Sequence, residues 1–205
     1  MAKEMGFPIE LIRTLGALPS YYLHYYYLTD EVLAGQRDGK TRAREVIDIE
    51  EQLLEMYRDP ALTEKPKLLE RRGGAFYSEA AAQLIASLND GAGDVQVVDI
   101  RNSGALPDLP DAAVVEIPAR IDRDGAHPLP LAPLAPELRG LVEQVKAYEQ
   151  LTIEAARSGD QATALRALMA NPLVAQWAIA EPLLEALLEA NVGYLPRFFP
   201  QAAAR

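Results

Sequence analysis

The stretch Arg71–Ile100, RRGGAFYSEAAAQLIASLNDGAGDVQVVDI, decides the fold class because its periodicity changes partway along. Tyr77, Ala80, Ala81, Leu84, Ile85 and Leu88 recur at the three- and four-residue spacing of one helix face. Asn89-Asp90-Gly91 supplies the stop. Val95 to Ile100 is then a short, β-branched run bounded by Gly and Asp, which reads as a strand. A chain that passes from helix to strand in this way is neither all-helical nor a repeating βα array.

Upstream, the reading is helical. Phe7 to Leu15 lies between Pro8 and Gly16, the punctuation of a short helix. Ser20, after Pro19, caps a second helix through the tyrosines, which places Tyr22, Tyr25 and Tyr26 on one face. Asp38-Gly39 marks a turn. Thr41 then caps a helix to about Arg58 with Val46, Ile49, Leu53, Leu54 and Tyr57 as its apolar stripe, ended by Asp59-Pro60. Downstream, Ala113 to Ala119 is a second strand. Asp124-Gly125 is a hairpin turn that sets Ala119–Asp122 against His127–Leu131. Pro128 to Pro136 is proline-rich and extended. Helices return with Leu138 to Ala155, closed at Gly159, then a helix capped by Asp160, a break at Asn171-Pro172, and a last helix over Pro182–Ala190. The order predicts an α+β fold, mostly helical, with a small antiparallel or mixed sheet.

Composition bounds the function. A chain of 205 residues holds one well-cored domain or two small ones. Its 49% apolar and 24% charged residues belong to a globular protein rather than a disordered tail. No apolar run approaches the roughly 18 residues of a membrane span, and Met1–Gly6 lacks the pattern of a signal peptide. Cytoplasmic location is the default expectation, with no membrane partner. A formal charge of −10 argues against nucleic acid as a partner. There is no cysteine, so disulfides are excluded.

Few residues stand out as chemistry. No GxGxxG follows a strand, and there is no GK[ST] loop and no HExxH. Two histidines make no metal site on their own: His127 reads as a turn residue and His24 as part of an amphipathic helix. Asp48, Glu50, Glu51 and Glu55 read as the polar face of one helix, and Glu116 faces either inward or to solvent. Arg71 and Arg72 cluster beside the glycine pair, and Arg101 follows a strand; each suits either solvent or a small anion such as a phosphate. Tyr77 has two readings. Periodicity makes it a core residue at the head of an apolar stripe. Yet Gly73-Gly74 allows close approach before the helix, and the first turn's free N–H groups favour a phenolate, as a general base requires.

The chain also resembles the C-terminal half of glycoside hydrolase family 4. The resemblance rests on Leu15-Gly16-Ala17-Leu18-Pro19-Ser20-Tyr21-Tyr22-Leu23, Tyr25-Tyr26-Tyr27, Arg72-Gly73-Gly74-Ala75-Phe76-Tyr77-Ser78, Asn102-Ser103-Gly104-Ala105, Val114-Val115-Glu116-Ile117-Pro118, His127-Pro128-Leu129-Pro130, Val145-Lys146-Ala147-Tyr148-Glu149 and Asn171-Pro172-Leu173-Val174, in that order. It is closest to the 6-phospho-β-glucosidase branch. The resemblance implies a C-terminal domain similar to that of lactate and malate dehydrogenases, with the NAD-binding Rossmann domain lying before this chain and absent from it. It implies a reaction that uses NAD and Mn2+, held by the full-length enzyme and not by this chain alone. The sugar C3 hydroxyl is oxidised, a tyrosine removes the C2 proton, and the leaving group departs from C1 by elimination. Tyr77 matches that tyrosine, and Arg101 and Asn102 match positions near the substrate phosphate and hydroxyls. Ser103 stands where the family often has a second Asn. Arg72 stands where the α-glycosidase branch commonly has Asp. The implied partners are a phosphorylated β-glucoside, the Rossmann domain of the same polypeptide, and further copies in a homodimer or homotetramer. The fragment alone is expected to be inactive. A related α-glucosidase or α-galactosidase, or a non-catalytic dimerisation or ligand-binding module, is the alternative.

Overall fold

The computed structural model describes residues 6–39, 41–74 and 76–200. Ala75 of the Gly-Gly-Ala-Phe-Tyr run lies outside the described residues, as do both chain ends and Lys40. The chain forms two compact units, Met1–Val98 with Glu116–His127, and Asp99–Val115 with Pro128–Arg205.

In the first unit, helix α1 (Ile9–Leu15) runs from Pro8 to a left-handed Gly16, as the punctuation predicts. The tyrosine helix is not continuous. A single 3-10 turn, Tyr21–Leu23, leads into the short α2 (His24–Tyr27), and Leu28 leaves helical geometry before α3 (Thr29–Asp38). Thr29 Oγ1 donates back to the carbonyls of Tyr25 and Tyr26 at 2.9 and 3.2 Å, which satisfies the end of α2. Tyr22 therefore projects outward while Tyr25 is half-buried. Phe7 is buried with its ring stacked on His24, centroids 3.9 Å apart. His24 Nδ1 donates to the Tyr21 carbonyl at 2.6 Å, so this histidine is a packed structural residue.

Helix α4 (Arg42–Met56) begins where predicted, with the Thr41 hydroxyl accepting from Arg44 N. Only Ile49 and Leu53 of its stripe are buried; Leu54 and Tyr57 are exposed. Helix α5 (Leu69–Arg72) and helix α6 (Tyr77–Asp90) follow, the latter closed by a left-handed Gly91. The expected core stripe of α6 is uncovered. Tyr77 is 78% exposed and Ile85 67% exposed, and the buried residue of the helix is Ser87. The physical reason is polar: Ser87 Oγ donates to the Gln83 carbonyl at 3.0 Å and accepts from Gln96 Nε2 at 2.8 Å. Periodicity recorded which face is apolar, but within these residues nothing covers it.

The sheet has the order β1 (Asp94–Arg101), β2 (Val114–Asp122), β3 (Gly125–Pro128). In the first unit, Gly93 N donates to the Ile121 carbonyl at 2.9 Å, and Ile117, Ala119 and Ile121 bury one face of β2. The hairpin turn is Arg123-Asp124, one residue earlier than expected, so Gly125 opens β3. Asp122 sets that register: its Oδ1 accepts from Asp124 N at 3.0 Å and from His127 Nε2 at 2.9 Å. The His127 bond holds the Asp122 carboxyl below the usual carboxylate range. His127 is thus a strand residue rather than a turn residue.

In the second unit, Asn102 N donates to the Ala113 carbonyl at 2.8 Å, continuing antiparallel β1–β2 pairing. Helix α7 (Pro136–Ser158) starts with Pro136 in its first turn and ends at a left-handed Gly159. Helix α8 (Gln161–Ala170) is capped by Asp160, whose carboxylate accepts from Ala162 N and Thr163 N. The hydrogen bond from the Thr163 hydroxyl contributes most to holding the Asp160 carboxyl below its ordinary range. Helix α9 spans Trp177–Ala190 and so begins five residues before the predicted Pro182 start, with that proline inside it. The first turn of α9 forms ahead of the proline, which removes one internal hydrogen bond without ending the helix. Helix α8 packs on both α7 and α9, and buried Ala155, Thr163, Ala167 and Ala180 keep these contacts close.

Candidate active site

Tyr77 is the first residue of α6, two residues beyond the undescribed Ala75. Gly73 and Gly74 have φ of 98° and 77°, in the left-handed region where a side chain is strained. Space adds a second constraint at Gly74. A Cβ there would meet Tyr77 Cδ2 at 2.9 Å and Cε2 at 3.1 Å, so the ring folds back over the glycine. Tyr77 N donates to the Gly74 carbonyl at 3.3 Å, and Ala80 N to the Phe76 carbonyl at 2.9 Å. The phenol thus stands at a helix N-terminus, open to solvent, with no hydrogen-bond partner for its hydroxyl among the described residues. Of its two sequence readings, core packing does not hold among the described residues.

Polar side chains from α4 frame the approach to that turn. Arg42 Nη2 donates to the carbonyls of Arg71 and Arg72 at 2.8 and 3.2 Å. Its Nη1 donates to Glu45 Oε2 at 2.7 Å, and Arg71 lies 3.6 Å from the other oxygen of Glu45. Arg72 Nε and Nη2 both donate to Glu50 Oε1, at 3.1 and 2.6 Å. The hydrogen bond from Arg42 is the main cause that holds the Glu45 carboxyl below its ordinary range. Sequence reasoning treated Glu50 as part of a solvated face and passed over Arg42 and Glu45. Arg42 and Glu45 pair locally at i,i+3, but their bonds to Arg71 and Arg72, like that of Glu50, span more than twenty residues, which no local pattern encodes.

Arg101 and Asn102 lie together in the second unit, at the end of β1. Arg101 is exposed, and its Nε donates weakly, at 3.3 Å, to the Asp111 carbonyl. The guanidinium has donors to spare for an anion. Asn102 has a different setting. It is 0% exposed, its amide nitrogen donates to the carbonyls of Leu106 and Leu109 at 2.9 and 2.8 Å, and its Oδ1 accepts from Leu106 N at 2.7 Å. A third carbonyl, of Pro110, lies 3.3 Å from the same nitrogen. The side chain is therefore the hub of loop 103–113. Ser103, next to it, has a φ of 46°, a conformation that Asn adopts more readily than Ser.

Among the described residues, no group of three or more His, Cys, Asp or Glu is arranged to hold a metal. No described helix is long and apolar enough to cross a membrane.

With this geometry in view, the chain's relatives define its class. Residues 2–174 match the family described as "Family 4 glycosyl hydrolase C-terminal domain". The chain is 40% identical over 200 residues to the "Probable 6-phospho-beta-glucosidase" of Bacillus subtilis, covering 95% of this chain and 45% of that protein. The 6-phospho-β-glucosidase of Thermotoga maritima, solved with manganese, NAD+ and glucose-6-phosphate, superposes with a TM-score of 0.85 at 36% identity, over 94% of this chain and 46% of that one. A 6-phospho-α-glucosidase from gut microorganisms, solved with NAD and glucose-6-phosphate, gives a TM-score of 0.78 at 28% identity, over 91% of this chain and 42% of that one. The chain belongs to glycoside hydrolase family 4, as a C-terminal domain of that family. It spans about half the length of the curated relatives it matches.

Proposed function

We propose that this chain is the substrate-side domain of a cytoplasmic, NAD- and manganese-dependent 6-phospho-β-glucosidase, and that Tyr77 is its C2 base. The observation that carries this reading is the placement of Tyr77: a free phenol at the head of α6, folded over a glycine that tolerates no side chain. Its hydroxyl is not engaged elsewhere and can take a proton from a bound sugar. Arg101, with donors uncommitted, pairs with the 6-phosphate. Asn102 contributes through the loop it holds, because its amide is committed to backbone carbonyls. The higher identity to the β-named relatives favours β over α specificity.

The described residues offer no donor set for manganese and the sequence has no dinucleotide fingerprint, so these residues do not fit either group. Both belong to the preceding half of the polypeptide. When bound there, NAD supplies the hydride chemistry at C3. This chain supplies the base from its first unit and the anion contact from its second. The uncovered apolar face of α6 and the outward Tyr21 and Tyr22 suit burial against that preceding half or a second copy in a dimer or tetramer.

The test uses the full-length protein with NAD and Mn2+ on an aryl 6-phospho-β-glucoside and its α anomer. Turnover of the β anomer supports the reading, with the isolated 205-residue chain inactive. Turnover of the α anomer alone moves the specificity to the other branch. Turnover by the isolated chain contradicts the division of labour.

A further inference from the structure

We infer that Arg42 and Glu50 of α4 are positioning residues for Tyr77, acting through the backbone of the Gly73-Gly74 turn; the inference rests on Tyr77 being the base. Helix α5 has only four residues, too few to hold itself in place by its own hydrogen bonds. Its last two carbonyls, those of Arg71 and Arg72, have no helical acceptor role left to fill. One guanidinium nitrogen of Arg42 donates to both of them. From the same helix, Glu50 grips the side chain of Arg72 through two of its nitrogens. The segment is thus pinned at backbone and at side chain immediately before the two most permissive residues in the turn.

That position is the reason the pins matter. Gly73 and Gly74 each have many conformations open to them, and nothing in their own chemistry selects the observed φ values. The Tyr77 hydroxyl has no partner of its own among the described residues to fix it. What fixes the ring is its seat on Gly74 and the carbonyl of Gly74 accepting from Tyr77 N. Holding Arg71 and Arg72 from α4 therefore narrows the positions open to Gly74, on which the ring of Tyr77 is seated.

Stability does not account for the arrangement. The side chains of Arg42, Arg72 and Glu50 are 51%, 47% and 44% exposed, and ion pairs this wet add little to folding. Their effect is geometric. Glu45 has a supporting part: it takes the second arm of Arg42 and faces Arg71. Each carboxylate of this cluster faces an arginine: Glu45 faces Arg42 and Arg71, and Glu50 faces Arg72.

The experiment uses the full-length protein and an aryl 6-phospho-β-glucoside, with and without deuterium at C2. Arg42→Ala and Glu50→Gln are compared with the parent, with Arg42→Lys, and with Tyr77→Phe. A misdirected base is expected to lower kcat about tenfold, with KM for the glucoside within about twofold. The C2 isotope effect rises, because proton removal becomes the slower step, and Arg42→Lys recovers part of the rate. A loss of folded enzyme lowers the rate and leaves the isotope effect where it was; that result overturns the inference, as does a kcat equal to the parent's. If Arg42→Ala is unaffected while Tyr77→Phe is inactive, only the role of α4 falls. If Tyr77→Phe is as active as the parent, the base assignment falls and this inference with it.

Discussion

The turn at Gly73–Tyr77 and the loop at Asn102–Ala113 carry the candidate site residues, and they are built in opposite ways. The loop is held from within. Asn102 is fully buried, and its one amide ties residues 106 and 109 while Ser103 N and Arg101 Nε both donate to the Asp111 carbonyl. The turn is held from outside, by exposed guanidinium and carboxylate groups reaching over from α4. A buried amide surrounded by carbonyls has no alternative partners, so its geometry is stiff and costly to disturb. Wet ion pairs add little to folding, so this hold is one of geometry rather than of stability. The proposed anion contact, Arg101, ends β1 beside the stiff loop. The proposed base, Tyr77, sits on the segment that α4 holds from outside.

The comparison breaks most easily at its stiff side. Asn102→Ala leaves buried carbonyls and the Leu106 N–H without partners, and is expected to destabilise the full-length protein by about 3 kcal/mol. Chemical denaturation reads this directly; a loss below about 1 kcal/mol means that water replaces the amide and the loop is not held from within. Next in size is Gly74→Ala. The added Cβ collides with the Tyr77 ring and adds left-handed strain, so kcat is expected to fall about tenfold while the folded fraction changes little. An unchanged kcat means that the ring's seat on Gly74 is unimportant. The smallest effect sharpens the picture from the other direction. Ser103→Gly relieves the strain of a φ of 46° and is expected to be neutral or to raise stability by about 0.5 kcal/mol, read as an upward shift in Tm.

Much of this architecture was legible in the residues, for reasons that can be named. Thr41, Asp160, Gly16, Gly91 and Gly159 cap their helices where local chemistry places them, because a cap depends on neighbours only. The α6 stripe was legible as an apolar face but not as an exposed one, because periodicity does not say which molecule supplies the cover. The tyrosine helix was overextended since nothing in Ser20–Tyr27 announces the break at Leu28, which Thr29 secures through carbonyls behind it. At the candidate site, Tyr77 stood out through its glycines and through the family resemblance. Asn102 was found as a position, but its burial follows from carbonyls of residues 106 to 110 that no motif records. Arg42 left no trace and Glu50 read only as part of a polar face, because contacts across more than twenty residues are made by the fold.

The most direct measurement is the rate of the full-length protein on an aryl 6-phospho-β-glucoside with NAD and Mn2+, beside that of Tyr77→Phe. The account predicts that the variant folds with the parent's Tm and loses at least about two orders of magnitude in kcat. A Tyr77→Phe protein that turns over as fast as the parent contradicts it.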